Sequence, residues 1–216
     1  MARTRKPQRP RDASATREVL LDAATLVLAE QGFAGARVDE IATRAGVNKA
    51  LIYAYYGDKR GIYRAVLAAH LRDFASPEFS EAVAAEHGPR RALEDVIRRY
   101  LRMLIQDRAF ARLIAWEFLS HAGEGRELIL EGAAPLLSLI TELVKRGRAA
   151  GELSASVDPE LFRSALVSLG IGYTVQHSAM LLARERSGLE YTDEQFVDYA
   201  ISLLLERDGV VARRSA

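Results

Sequence analysis

Residues 38–56 constrain this chain more than any other stretch, because they place two short amphipathic helices almost end to end. Val38, Ile41, Ala42 and Ala45 fall at i, i+3, i+4 and i+7, an apolar stripe over two turns. Gly46 ends that helix, and Asn48 stands as N-cap of the next, where its side chain can accept from the first exposed amides. The second helix is about two turns long and is marginal by itself. It persists only if Val47, Ile52 and Tyr56 are held inward against a third element.

The preceding segment supplies that element. From Ser14 the pattern is helical, with Leu20, Ala24, Val27 and Leu28 on one face. Gly32 is placed to stop this helix as a left-handed residue, and Phe33 can fold back onto the apolar face. Asp58 caps a fourth helix, with Ile62, Val66 and Ala69 inward. The outward positions of the short second helix are read as Lys49, Ala50, Leu51, Tyr53 and Tyr55. No acid is among them, where a solvated helix would carry Glu and Gln. That composition suits a helix lying against phosphates and base edges in a DNA major groove.

Charge points the same way. Residues 1–60 carry 11 Lys and Arg against 7 Asp and Glu, whereas residues 61–216 carry 19 against 22. The excess is concentrated in Arg3, Arg5, Lys6, Arg9, Arg11 and Arg17. Residues 1–13, with Pro7 and Pro10 and little to bury, read as a basic disordered arm able to add phosphate or minor-groove contacts.

Beyond Pro77 the chain reads as long helices only. Residues 89–106 and 108–121 carry apolar stripes, residues 126–149 are helical with an expected break at Pro135, and Asp158-Pro159 starts a helix running to about Leu182. Thr192 and Gln195 form a capping box before a last helix. No segment reads as a strand, so the fold class is all-α. The expected division is an arm over 1–13, a helix-turn-helix domain over 14–58, and a helical body over 59–216. With 49% hydrophobic residues, the 216-residue chain can bury a sizeable core.

Several function classes recede. There is no cysteine, which excludes disulfides and thiolate metal sites. His70, His87, His121 and His177 have no helical metal spacing, and no nucleophile elbow or phosphate loop appears, so no catalytic residue, metal or cofactor is expected. No apolar run reaches the roughly 18 residues of a membrane span, and the basic start lacks a signal peptide's apolar stretch, so a cytoplasmic protein is expected.

Residues 16–67, from Thr-Arg-Glu-Val-Leu-Leu-Asp-Ala-Ala through Gly-Val-Asn-Lys-Ala-Leu-Ile-Tyr-Ala-Tyr-Tyr-Gly-Asp-Lys, closely resemble the N-terminal domain of the TetR family of bacterial transcriptional regulators. The resemblance implies a homodimeric repressor that binds a palindromic double-stranded DNA operator and is released by a small-molecule effector held in the body. It implies base-facing positions at Lys49, Ala50, Leu51 and Tyr53, phosphate contacts at Tyr55 and Lys59, and backbone approach at Arg37, Arg44 and Asn48. Three departures stand out. Arg37 replaces a frequent threonine N-cap, and Ala50 adds a methyl where glycine is frequent. Gly61 removes a frequent acid, which should loosen the fourth helix by roughly 1 kcal/mol relative to alanine.

The candidate effector pocket gathers Phe74, Tyr100, Met103, Phe110, Trp116, Glu117, His121, Tyr173, His177 and Met180, each of which also reads as ordinary core. Glu117 and His121, four apart on one helix, are read as a surface pair or a polar spot in that pocket. The candidate dimer seam is formed by the last two helices, with Leu169, Gly170, Gly172, Phe196, Tyr199, Leu203 and Leu204; the glycines are read as points of close backbone approach. Two rival readings are a helical-bundle enzyme and an all-α small-molecule sensor that does not touch DNA.

Overall fold

The computed structural model describes residues 10–74, 88–120, 123–188 and 191–205. Among these, every regular element is helical: α1 Pro10–Gly35, α2 Val38–Ala45, α3 Ala50–Tyr56, α4 Lys59–Phe74, α5 Pro89–Gln106, α6 Arg108–Leu119, α7 Arg126–Ala149, α8 Pro159–Ser187 and α9 Asp193–Leu205.

Helix α1 buries Leu20, Ala24, Val27 and Leu28 completely, the face read from spacing. It begins at Pro10 rather than Ser14, four residues inside the segment expected to be a disordered arm. Proline suits a helix start, where its fixed φ is helical and its missing N–H is not needed. The rest of the arm, residues 1–9, lies outside the described residues. At Gly32 the backbone takes φ 68°, ψ 175°, and the chain makes one further turn to Gly35 before leaving.

The α2–α3 corner forms by local chemistry. Gly46 is left-handed, and the amides of Gly46 and Val47 donate to Thr43 and Ala42 at 3.1 Å each, closing the end of α2. The Asn48 side chain accepts from Ala50 N at 2.9 Å. Ile41, Ala42 and Ile52 are buried, α2 packing on α1 and α3 on α4.

Helix α4 carries Ile62, Tyr63, Val66, Leu67 and Leu71 into the core. One apolar cluster runs from Leu20 in α1 to Leu205 in α9, so α4 is packed on both sides. Asp107 caps α6 through Phe110 N at 3.0 Å, and Asp158 caps α8 through the amides of Glu160 and Leu161. At α9 the reciprocal cap is formed: Gln195 N donates to Thr192 Oγ1 at 3.2 Å, and Thr192 N to Gln195 Oε1 at 2.7 Å.

Three sequence expectations change. Helix α7 runs unbroken through Pro135. The proline and Glu131, whose carbonyl loses its ladder partner, are both exposed on the solvent side, while Ala133 and Leu136 hold the helix by burial. Helix α8 extends to Ser187, five residues past the expected end. Gly61 is not a loose point: its amide donates to Asp58 Oδ1 at 2.7 Å, and a Cβ there would stand 1.8 Å from the Tyr56 carbonyl oxygen. The tight α3–α4 turn needs glycine for space, and an alanine would collide with backbone.

Candidate nucleic-acid interface

Helix α3 turns one face outward. Asn48, Lys49, Ala50, Tyr53 and Ala54 are exposed, with Tyr53 at 51%. Ala50, Tyr53 and Ala54 follow the i, i+3, i+4 rule, so they share one surface. Leu51 and Tyr55 are half-buried against the core cluster instead. The five outward positions read from the sequence cannot all share a face of a two-turn helix, because 51 and 55 lie on its flank. Ala54 was missed, although its spacing from Ala50 carried the signal. Two methyls and a phenol make a low, acid-free surface that lets the helix backbone come close to whatever it meets.

Charged groups ring this surface. The Lys49 ammonium pairs with Asp39 of α2 at 2.9 Å, and that hydrogen bond holds its pKa above the ordinary lysine value. Arg44 pairs with Glu30 of α1 at 2.9 Å. Arg37 is extended and exposed, with no side-chain cap on α2. Both tyrosines behind α3 are tied to α1. The Arg17 guanidinium lies 4.8 Å from the Tyr55 ring centre, and the Tyr56 hydroxyl donates to Arg17 O at 3.2 Å. Lys59 is turned back: its ammonium sits 4.6 Å from the Phe33 ring centre and 3.4 Å from Ala34 O, and burial lowers its pKa. In this position Lys59 closes the end of α1.

The body residues expected to form one pocket are distributed among separate places. Met103 and Phe110 line a cleft of about 1100 Å³ between α1, α4 and α5, where Phe110 stacks on His70 at 5.2 Å. Trp116 and His177 line a second cleft, of about 330 Å³, between α6 and α8. Tyr100 is buried beneath Gly170. Tyr173 stacks on Phe196 at 3.6 Å, and its hydroxyl donates to Asp193 at 2.6 Å. The Met180 sulfur accepts from the Tyr191 hydroxyl at 3.7 Å. Phe74 ends α4, and His121 lies outside the described residues.

Glu117 is neither a surface group nor a lining group. It is buried, one oxygen accepting from the Tyr63 hydroxyl and the other from Gly125 N at 2.8 Å. Burial and the Glu117 carboxylate together push the Tyr63 phenol well above its ordinary pKa. A second polar link joins His70 Nδ1 to Asp107 at 2.5 Å and His70 Nε2 to Thr25 Oγ1 at 3.3 Å. The sequence reading did not connect the residues of these two links, which come from α1, α4 and α6 and from the turns at Asp107 and Gly125.

On the expected dimer seam, Tyr199 and Leu203 are exposed, Leu169, Gly172, Phe196 and Leu204 are half-buried, and Gly170 is buried. A Cβ at Gly170 would meet Leu104, Tyr100 and Leu101 of the same chain at 2.8–3.2 Å, so this glycine serves packing of α8 on α5 within one subunit. A Cβ at Gly172 would meet the Gln176 side-chain nitrogen at 3.9 Å, an ordinary contact. No group of three or more potential metal ligands occurs among the described residues, and no single described helix is long and apolar enough to cross a membrane.

Residues 20–66 match the family described as "Bacterial regulatory proteins, tetR family", and residues 89–190 match "Tetracyclin repressor-like, C-terminal domain". The HTH-type transcriptional regulator RutR of Escherichia coli strain K12 is 30% identical over 161 residues, 71% of each chain. The HTH-type transcriptional repressor SCO4008 of Streptomyces coelicolor is 46% identical over 65 residues, 30% of this chain and about a third (34%) of that protein's length. The solved fatty acid degradation regulator FadR from Bacillus halodurans superposes with a TM-score of 0.70 at 22% identity, covering 97% of this chain and 100% of that one.

Proposed function

The chain belongs to the tetR family of bacterial regulatory proteins, and from that premise we propose that it is a homodimeric transcriptional repressor that binds a two-fold symmetric DNA operator and answers to a small-molecule effector. The observation that carries the reading is the exposed α3 surface of Lys49, Ala50, Tyr53 and Ala54, held outward by the buried Ile52. Small methyls allow close groove entry, Lys49 offers a base or phosphate contact, and the Tyr53 hydroxyl can donate to a phosphate. Arg37, Arg44, Asn48 and Tyr55 surround that surface and add backbone contacts. Residues 14–58 form the head in this reading, and residues 59–216 the body.

Dimerisation is supported by the apolar side chains that α8 and α9 leave exposed away from the α6–α8 cleft: Leu161, Leu181, Leu182, Tyr199 and Leu203. Two copies related by a two-fold axis would set their α3 helices about 34 Å apart, or a multiple, to meet half-sites on one DNA face. An effector acts by preferring one head spacing over another, and its influence equals that preference. Regulation of DNA, not turnover, is the activity proposed, and it places the protein's work in the cytoplasm.

The direct test is selection of bound duplexes from a random pool by the purified protein. A two-fold symmetric consensus, bound by a dimer and lost in a Lys49→Ala, Tyr53→Phe double variant, is expected. Equal retention of all sequences at low salt overturns the reading.

A further inference from the structure

We propose that the cleft between α6 and α8 binds an amphipathic carboxylate, and that its occupant reports to the head through Trp116. The proposal rests on the effector-responsive reading above and gives it a site and a ligand class.

The cleft has the size and chemistry for such a ligand. Its volume of about 330 Å³ falls at the small end of ligand pockets, of roughly 300–1,000 Å³. Arg108, Arg112 and His177 line it together with Trp116, Leu119 and Val175, and no carboxylate is among the lining residues. Arg108 is partly committed, with Asp193 at 3.4 Å and the Ile105 carbonyl at 3.2 Å. Arg112 is exposed and makes no hydrogen bond or ion pair among the described residues, although its charge acts on Glu30. A guanidinium with open donors beside acid-free apolar walls is suited to a carboxylate bearing an apolar tail. The walls are exposed as they stand: Leu119 at 74%, Val175 at 46% and Trp116 at 40%. A tail laid across them would remove that apolar surface from water.

Trp116 makes the cleft more than a surface feature. Its indole Nε1 donates to the Ala29 carbonyl at 3.2 Å, near the end of α1. Its ring lies so close to Gly32 that a Cβ there would stand 2.9 Å away. The same side chain therefore touches the head on one side and the cleft on the other. A ligand that repositions the indole changes the seat of α1, against which α2 packs.

Trp116 is the single tryptophan of the chain, so intrinsic emission reads this cleft directly. The full-length protein is titrated with octanoate, octanol and octyltrimethylammonium as probes. Octanoate is expected to give a saturable emission change, with the neutral and cationic probes weaker by at least about tenfold. Arg112→Gln should weaken octanoate by at least about tenfold with an unchanged melting temperature. Val175→Glu, which places a like charge in the cleft, should do the same. Absence of saturation, equal affinity for all three probes, or unchanged binding in both variants overturns the site.

A second arm uses the duplex selected above. Octanoate is expected to weaken its binding by wild-type protein, and less so in Trp116→Phe, with octanoate binding to that variant followed by calorimetry. Filling of the cleft with no change in duplex affinity overturns the transmission. Octanoate binding by a protein that selects no duplex supports the site while removing the regulator reading, so the two failures are distinguishable.

Discussion

The Tyr63 hydroxyl donates to the buried carboxylate of Glu117, fastening the helix that leaves the head to the last turn of α6. The adjacent residue, Trp116, grips the end of α1. Two consecutive side chains of α6 thus hold α4 and α1, the first body helix and the first head helix. Any displacement of α6 is felt by α1 and α4 together.

Tyr63→Phe should therefore cost about 1–3 kcal/mol, because Glu117 keeps only its bond from Gly125 N while remaining buried. Glu117→Ala should cost more, since it strands the Tyr63 hydroxyl and the Gly125 amide and opens a void. Urea unfolding of both variants checks the order; a Tyr63→Phe chain as stable as wild type would show that the bond contributes nothing.

Gly61→Ala should destabilise the protein, by about 1–3 kcal/mol if the turn shifts to accept the methyl. Helix propensity alone predicts the reverse, a gain of up to roughly 1 kcal/mol. The Tyr56 carbonyl, 1.8 Å from the position a Cβ would take, decides between them. A thermal melt gives the sign directly.

That residue marks where reading the sequence stops working. Periodicity and caps are local, so the α2–α3 corner, the Asn48 bond and the Thr192–Gln195 box are legible in the sequence. The close approach at Gly61 is also local in chain, yet it depends on where a carbonyl points, which composition does not encode. Lys59, Glu117 and His70 fail for another reason. Their partners Ala34, Tyr63 and Asp107 lie 25, 54 and 37 residues away, and only tertiary packing selects them. The candidate pocket dispersed because aromatic and methionine side chains at helical spacing announce burial without saying which cleft they border.

Lys49→Ala should weaken binding to the selected operator by roughly 1–3 kcal/mol if the lysine reads a base, with little change on random duplex. An equal loss on both makes it a phosphate contact. Asp39→Asn gives the complementary result. Releasing the ammonium from its 2.9 Å ion pair leaves it free for DNA, so affinity should rise, while stability changes little because both groups are exposed and screened by water. Fluorescence anisotropy on the two duplexes separates these outcomes.

Acid should weaken the fold through Asp107. Burial alone would raise its pKa, but hydrogen bonds from His70 and the Phe110 amide outweigh burial and hold it below the ordinary 3.8. A depressed folded-state pKa means stability that is present above about pH 3.8 and lost as the pH falls through the lower folded value. Asp107→Asn retains a good helix cap for α6 while removing the charge. The variant should be less stable near neutrality and show a shallower loss below about pH 3.8, measured by urea midpoints across that range. Parallel curves for the two proteins would assign the acid sensitivity elsewhere.

The exposed faces of α8 and α9 carry the prediction on which operator symmetry depends. Tyr199 is 66% exposed and Leu203 46%, four residues apart on α9, with Leu181 and Leu182 exposed on α8. None of these supports the core of one subunit, so replacing them should leave the fold intact. Tyr199→Glu with Leu203→Glu places four like charges across a two-fold axis, and burying them unpaired is costly. Sedimentation should then report a monomer with an unchanged melting curve. A single head meets half the phosphates of a dimer, so the slope of log affinity against log salt should fall to about half its wild-type value. A double variant that stays dimeric with the full salt slope would move the seam to another surface of the body.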